Sequence, residues 1–288
     1  MTDLTHYAVP AFIALMLIEA TVGARHLRRN VHDDLHDTWA SLGMGVGSVV
    51  INLFWKSVVF SYFAFLHSLS PLRLGYEWWV WAAALIADDI CYYWFHRLSH
   101  EVRFLWAAHV NHHSSRKYNL STALRQPWTT PFTSLWFWTP MPLLGFDPAM
   151  ILTVQAVSLL YQFWIHTEAI DNLGPLEAVF NTPSHHRVHH AKNVRYLDRN
   201  HGGILIVWDR FFGTFAREIE PPVYGLTKDI DTYNLVDIAF HEWRALWRDV
   251  RKPNPLRVRL GYLVNPPGWS PDGSTKTANE LRAALADA

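Results

Sequence analysis

Apolar residues in this chain gather in runs on the scale of a bilayer span, which needs about 20 mostly apolar residues. The first run, Tyr7 to Gly23, is short and holds Pro10 and Glu19; the second, Trp39 to Leu66, is long enough despite Lys56. A third, Trp78 to Phe95, carries Asp88 and Asp89 near its end. From Pro131 to His166 two apolar stretches flank Gly145, Phe146, Asp147 and Pro148, a turn composition that predicts a membrane hairpin. No small-residue cleavage site follows the first run, which therefore reads as an anchor. The pattern predicts an all-α chain, a polytopic membrane helical bundle.

Basic residues orient these elements. Arg25, Arg28 and Arg29 follow the first run, Arg97, Arg103, Arg116, Lys117 and Arg125 the third, and Arg187, Lys192, Arg195 and Arg199 the hairpin. The turn after the second run offers only Arg73, and the hairpin tip none. The basic ends are expected on the cytoplasmic side of a bacterial inner membrane or the endoplasmic reticulum. Composition agrees: charged residues are 17% of the chain, and 15 Trp, 16 Phe and 11 Tyr suit bilayer interfaces. A formal net charge of zero gives no pointer to nucleic acid. The single Cys91 has no partner for an internal disulfide and reads as packing.

The chemistry lies in histidine. Of 17 in the chain, eleven fall between His96 and His201. Nine form four groups: His96 and His100; His109, His112 and His113; His166; and His186, His189 and His190. Helical positions three or four apart share a face, so His96 and His100 point at one ion, as do His109 and His112 or His113. Adjacent histidines lie about 100° apart around a helix, so each pair feeds two ions, or one ion and a supporting contact. Nine imidazoles exceed the needs of one tetrahedral ion and suit two ions with open positions. Imidazole accepts zinc, copper, iron and nickel, so the metal is not fixed by number.

Supporting roles fall to neighbours. Asp88 and Asp89 are placed to accept a hydrogen bond from a ligand's free N–H, or to pair with Arg97 or Arg103. Gln162 shares a helical face with His166 and serves the site or an interhelical bond. Asn181 to Ser184 read as a turn and N-cap before a helix bearing His185 to His190, where His185 is an alternate ligand or a support. The glycines of Asn200-His201-Gly202-Gly203 suggest close backbone approach under the site. No phosphate loop, dinucleotide fingerprint or nucleophile elbow occurs. Near the C-terminus, Trp243, Leu246, Trp247 and Val250, flanked by Arg244, Arg248, Arg251 and Lys252, form a basic amphipathic helix suited to the bilayer surface or to packing on the cytosolic part. The segment after Ser270 is polar and expected to be mobile.

These residues resemble the fatty acid hydroxylase/sterol desaturase superfamily of membrane-bound non-haem di-iron oxygenases. The matching stretches are D-D-I-C-Y-Y-W-F-H-R-L-S-H-E (Asp88 to Glu101), H-V-N-H-H-S (His109 to Ser114) and N-T-P-S-H-H-R-V-H-H (Asn181 to His190). Similarity continues through Y-L-D-R-N-H-G-G and W-D-R-F-F-G-T-F, covering roughly residues 75 to 273. The run W-I-H-T-E-A-I (Trp164 to Ile170) is most similar to the alkylglycerol monooxygenase branch and its bacterial sterol-desaturase-like relatives.

The resemblance implies His96, His100, His109, His112, His113, His166, His186, His189 and His190 as iron ligands, with Glu101 and His185 at positions that matter. His201 departs from the family run, where Tyr is common, and is a further candidate at the site. It implies three parts: residues 1–74 as N-terminal membrane helices, 75–273 as a di-iron domain with a cytoplasmic histidine-rich cap and the membrane hairpin, and 274–288 as a polar C-terminal tail. The implied cofactors are two non-haem iron ions, with O2 as co-substrate. No cytochrome b5-like segment is recognisable, so an external redox partner or reduced pterin is implied as electron donor. The implied activity is hydroxylation or desaturation of a lipid C–H bond, leaning to alkyl or ether lipids over sterols. The alternatives are a sterol desaturase or sterol methyl oxidase-type enzyme, a non-catalytic relative, and a metal transporter. Transport ligands should line a path between both membrane faces, whereas these bunch on one side.

Overall fold

The long second run folds as the longest helix. A computed structural model describes residues 4–26 and 31–287. Helix α1 spans Leu4–His26, α2 Val31–Leu69 and α3 Trp78–Glu101. At 1.5 Å per residue, the 39 residues of α2 reach about 58 Å. Among the described residues, its Leu35–Leu69 stretch is the one helix long and apolar enough to cross a membrane; Ala8–Thr21 in α1 is a shorter apolar segment. Val46, Val50, Leu53 and Phe54 of α2 face outward. All regular elements among the described residues are helical; pairing in extended backbone is limited to the isolated bridges Phe180–Leu205 and Ala191–Tyr224.

The hairpin expected from Pro131 to His166 has unequal arms. Its second arm is one helix, α7 (Pro148–Trp164), capped by Asp147, whose carboxylate accepts the amides of Ala149 (2.8 Å) and Met150 (3.4 Å). Its first arm is broken into α5 (Thr130–Ser134), a 3₁₀ turn at Leu135–Trp138 and α6 (Pro140–Leu143). Pro131, Pro140 and Pro142 lack the N–H a continuous helix needs, and each suits a first turn. The core joins Phe63 of α2, Val80, Ala84 and Phe95 of α3, Trp138, and Met150, Ile151 and Val154 of α7, with half-buried Cys91 packed against it.

This core holds two ends apart. At one end the α2–α3 loop meets the hairpin turn, with Ser70 Oγ donating to Leu143 O (2.7 Å) and Leu74 N to Gly145 O (3.1 Å). At the other, α3 delivers its histidines to the loops and short helices that follow. These include α4 (Arg103–Ala107), the 3₁₀ turn His112–Ser114, α8 (Pro183–His190) and α9 (Val207–Phe212).

Helices α10 (Leu235–Val250) and α11 (Leu256–Val264) close this end. Of the two readings of the basic amphipathic helix, packing describes α10: Leu246 is buried with Ala107 and Tyr262, and Ile238 and Ala239 pack on Ala40 and Met44 of α2. The polar tail departs from the expectation of mobility. Residues Ala278–Ala286 form α12, started by a capping box between Thr277 and Glu280, and Arg282 donates to the Leu197 carbonyl. The box satisfies N-terminal amides that composition alone leaves open.

Candidate metal centre

The nine histidines meet in one buried volume and sort into two nests. His96, His100, His109, His113 and His189 form one, and His112, His166, His186 and His190 the other; within each nest one ring nitrogen per residue lies within 4.8 Å of all the rest. None of the nine is more than 7% exposed.

Local structure explains the sorting. His96 and His100 stand one turn apart at the end of α3, as their spacing requires. After α4 the chain tightens into 3₁₀ hydrogen bonds, His112 N to His109 O (2.9 Å) and His113 N to Val110 O (3.1 Å). That tight turn splays the adjacent pair, sending His113 to the five-histidine nest and His112 to the four. On α8 the same division recurs: His186 and His190, four apart, share a nest, while His189 points to the other. Of the pairings left open by spacing, His109 goes with His113.

The donor geometry fits bound metal. Nε2 atoms face each other at 3.1 Å (His96–His109), 3.2 Å (His109–His113), 3.3 Å (His112–His166), 3.0 Å (His166–His186) and 3.2 Å (His186–His190). A metal–nitrogen bond of about 2.1 Å separates neighbouring donors by roughly 3.0–3.4 Å at octahedral to tetrahedral angles, which matches. Buried Nε2 atoms of His100 and His189 have no hydrogen-bond partner, an arrangement that is costly unless a cation uses the lone pair.

Backbone carbonyls fix the rings. His96 Nδ1 donates to His201 O (2.9 Å), His189 Nδ1 to Arg199 O (3.0 Å) and His166 Nδ1 to Gln162 O (2.7 Å). The Gln162 carbonyl lies in the last turn of α7, where helical carbonyls lack partners. Donation from Nδ1 leaves Nε2 as the metal-facing lone pair. Burial, reinforced by the neighbouring imidazoles, holds His109, His113, His186, His189 and His190 well below the ordinary imidazole value. Neutral imidazole is the form that binds metal.

The expected supporting residues take other places. Asp88 accepts from Trp138 Nε1 (2.7 Å), and Asp89 from the amides of Ile204 (2.7 Å) and Leu205 (3.0 Å) and from Trp208 Nε1 (2.8 Å). Neither meets a ligand imidazole, nor pairs with Arg97 or Arg103. Arg97 pairs with Glu101 (2.9 Å), and Arg103 with Glu242 and Asp249 (2.8 Å each). Glu101 thus turns away from the nests. The Gln162 amide donates to Ser158 Oγ within its own helix (3.1 Å). His185 lies on the far side of α8, its Nε2 3.7 Å from Glu177 and its ring against Phe215. His201 is completely buried beside His96, His100 and His189, with ring centroids 5.8, 5.1 and 5.7 Å away, and neither of its ring nitrogens is hydrogen-bonded.

Several contributors escape a reading by motif. Asp209 is completely buried and accepts the amides of His201 and Gly202 (2.7 Å each). Glu19 of α1 accepts from Leu120 N (2.8 Å) and from the Thr167 hydroxyl, tying α1 to the His166 loop. Asp37 of α2 and Arg125 form a buried ion pair (2.6 Å), and Arg125 also donates to Ser114 Oγ (3.0 Å) beneath the 112–114 turn. For Glu19 and Asp209 the signal was an acid in an apolar or aromatic run; Asp37 and Arg125 carry none. The close backbone approach expected at Gly202 is present: a Cβ there would lie 2.5 Å from Leu205 O.

Comparison with known proteins agrees with this geometry. Residues 81–214, which contain both nests, match the fatty acid hydroxylase family. Alkylglycerol monooxygenase of Homo sapiens is 42% identical over 93% of this chain and 60% of its own length. That of Caenorhabditis elegans is 37% identical over 83% and 50%, and an ornithine lipid hydroxylase of Rhizobium tropici is 33% identical over 48% and 42%. The chain thus spans about 60% of the length of the human relative. No solved structure matches. The chain belongs to the fatty acid hydroxylase family.

Proposed function

We propose that this protein is a membrane-bound, O2-dependent, non-haem di-iron monooxygenase acting on a lipid C–H bond, with an alkyl or ether lipid as substrate. The observation that carries this reading is the division of nine buried imidazoles into nests of five and four. Each nest offers enough donors to hold its own ion, five at the first and four at the second. Support for the substrate class comes from the names of the relatives, alkylglycerol monooxygenase above all.

Iron, when bound, supplies the redox chemistry that activates O2. The protein's own residues do the rest. The nine histidines would hold the ions, and the carbonyls of Gln162, Arg199 and His201 keep three of their rings, those of His166, His189 and His96, in one tautomer. The buried surroundings keep water from the reacting carbon. For an ether lipid, one oxygen atom enters the C–H bond beside the ether oxygen, and the other leaves as water with two electrons and two protons from an external donor. The resulting hemiacetal breaks down to an aldehyde and an alcohol. The donor in this reading is a separate redox protein or reduced pterin.

The same reading places the histidine end on the cytoplasmic side, with α1, α2, α3 and the hairpin as a polytopic bundle. It takes 1–74 as membrane helices, 75–273 as the di-iron domain and 274–288 as the C-terminal tail. Cysteine labels at Lys117 and Lys192 should then react only from the cytoplasmic face and one at Asp147 only from the other. Reaction of the first two from opposite faces sinks the topology.

The test of function is turnover. Reconstituted protein with ferrous iron, O2 and reductant should convert an alkylglycerol to a fatty aldehyde and glycerol. Sterol oxidation with the ether left intact, at matched iron loading, would replace the substrate class with that of the sterol-acting alternative.

A further inference from the structure

Two ligands of the five-histidine nest lean on the same short loop. His189 Nδ1 donates to the carbonyl of Arg199 and His96 Nδ1 to that of His201. The four-histidine nest makes no such use of it: His166 bonds within the end of α7, and Nδ1 of His112 and of His186 has no partner. The direction of these two carbonyls therefore sets the direction of two Nε2 lone pairs in one nest alone.

What holds the loop is mostly one carboxylate. Asp209 Oδ1 accepts His201 N–H (2.7 Å) and the Thr214 hydroxyl (2.6 Å), and Oδ2 accepts Gly202 N–H (2.7 Å). The peptide that offers its carbonyl to His96 is thus gripped at the amides on either side of that carbonyl. Thr214 is steadied in turn by Tyr93 (2.9 Å), to whose hydroxyl Arg97 donates (3.2 Å). Asn181 holds the next carbonyl, that of Gly202, at 2.6 Å. Asn200, in the left-handed region at φ 58°, is tied to the carbonyls of His185 and Ala216. Asp209, Thr214, Tyr93, Asn181 and Asn200 are all buried away from water, so no solvent molecule replaces a lost acceptor.

We propose that Asp209 is a positioning residue specific to the five-histidine site: by clamping the 201–202 amides it aims the His201 carbonyl at His96, and it bears on the four-histidine site only indirectly. Asp209 touches no ligand imidazole and acts through the backbone. This inference rests on the two-ion reading above. Loss of an outer hydrogen bond to a metal-bound imidazole characteristically lowers metal affinity about 10–100-fold.

The test is a titration of the full-length, detergent-purified protein with Co²⁺ under anaerobic conditions, followed by visible absorption and bound-metal analysis. Wild type should take up two ions per chain in resolvable steps, with His96→Ala and His166→Ala marking the spectrum of each site. Asp209→Asn keeps the shape but puts an N–H donor against a backbone N–H. It should weaken the site that His96→Ala marks by about 10–100-fold and shift its spectrum, leaving the other within about twofold. Thr214→Val removes one restraint and should weaken the same site by a smaller factor, with Thr214→Ser restoring it. Equal weakening of both sites, or none at either, in the folded Asp209→Asn protein overturns the inference. If that variant does not fold, an unchanged five-histidine site in Thr214→Val does so. Fewer than two ions bound by wild type would overturn the two-ion reading itself, and this inference with it.

Discussion

The two histidine nests use the same chemistry with different support. The five-histidine nest draws on α3, the 109–113 turn and α8, and two of its rings are locked by carbonyls of the 199–201 loop. The four-histidine nest draws on the same turn and α8 plus His166, whose ring alone is locked, by Gln162 O. One nest has more donors and a more fixed frame; the other has fewer donors and less support. The difference teaches that the two nests need not be equivalent: on the two-ion reading proposed above, the leaner one would be suited to meet small molecules and the richer one to hold its ion.

The largest expected effect separates the nests by single ligands. His186→Ala leaves three imidazoles in the leaner nest and should empty it, taking turnover to background. His113→Ala leaves four in the richer nest, which should keep its ion at reduced affinity with measurable turnover. Iron content per chain and oxygen uptake read both, and equal loss in the two variants would break the comparison.

Acid should expose the same asymmetry. Burial holds the imidazoles of His112, His186 and His190 in one nest, and His109, His113 and His189 in the other, well below their ordinary value. The unfolded chain binds protons as pH falls through about 6.5, whereas the folded nests stay neutral until lower pH. The unfolded state then holds more protons, so stability is complete above that value and declines below it. Metal is lost over the same window because protons compete for the lone pairs. Equilibrium dialysis from pH 8 to 5 should show two ions leaving, the four-histidine site first. Release in the reverse order contradicts the assignment of the looser site.

A third test perturbs both nests together. The 112–114 turn gives one ligand to each nest and rests on Arg125, itself paired with Asp37. Asp37→Ala leaves a buried guanidinium without its counter-charge, which should cost about 3–5 kcal/mol of unfolding free energy. Both sites should weaken to a similar degree. A response confined to one nest would mean that the turn is held by something other than this pair.

The smallest effect belongs to the tail. Thr277→Ala removes the cap of α12 and should cost about 1 kcal/mol, visible as faster amide exchange in 278–286. Metal binding at either nest should not change, and a change would tie the tail to the Asp198–His201 loop.

Reading the sequence alone went far with the ligands and less far with what surrounds them. The paired histidines came from spacing because the helical repeat is a local property: His96 with His100, and His186 with His190, are neighbours whatever else the chain does, whereas lone His166 entered the set through the family resemblance. The broken first arm of the hairpin was also legible in Pro131, Pro140 and Pro142, although its apolar composition suggested a simple span. Asp88 and Asp89 were misleading for a physical reason. A carboxylate near a ligand in sequence competes with every donor the fold brings, and Trp138, Trp208 and the 204–205 amides arrived instead. Asp209, 19 residues beyond His190, carries no spacing signal toward His96 at all.

What the sequence by itself determined is therefore local: which histidines are candidate metal donors, which of them pair along a helix, and that the α2 stretch is long and apolar enough to cross a bilayer. Only the tertiary structure decided how the nine divide into five and four, because that depends on a tight turn splaying His112 from His113 and on α8 lying between two nests. It also decided which groups hold the rings, since a buried N–H takes the acceptor nearest in space. For His96 that acceptor is the carbonyl of a residue 105 positions away, and no local pattern encodes so distant a contact.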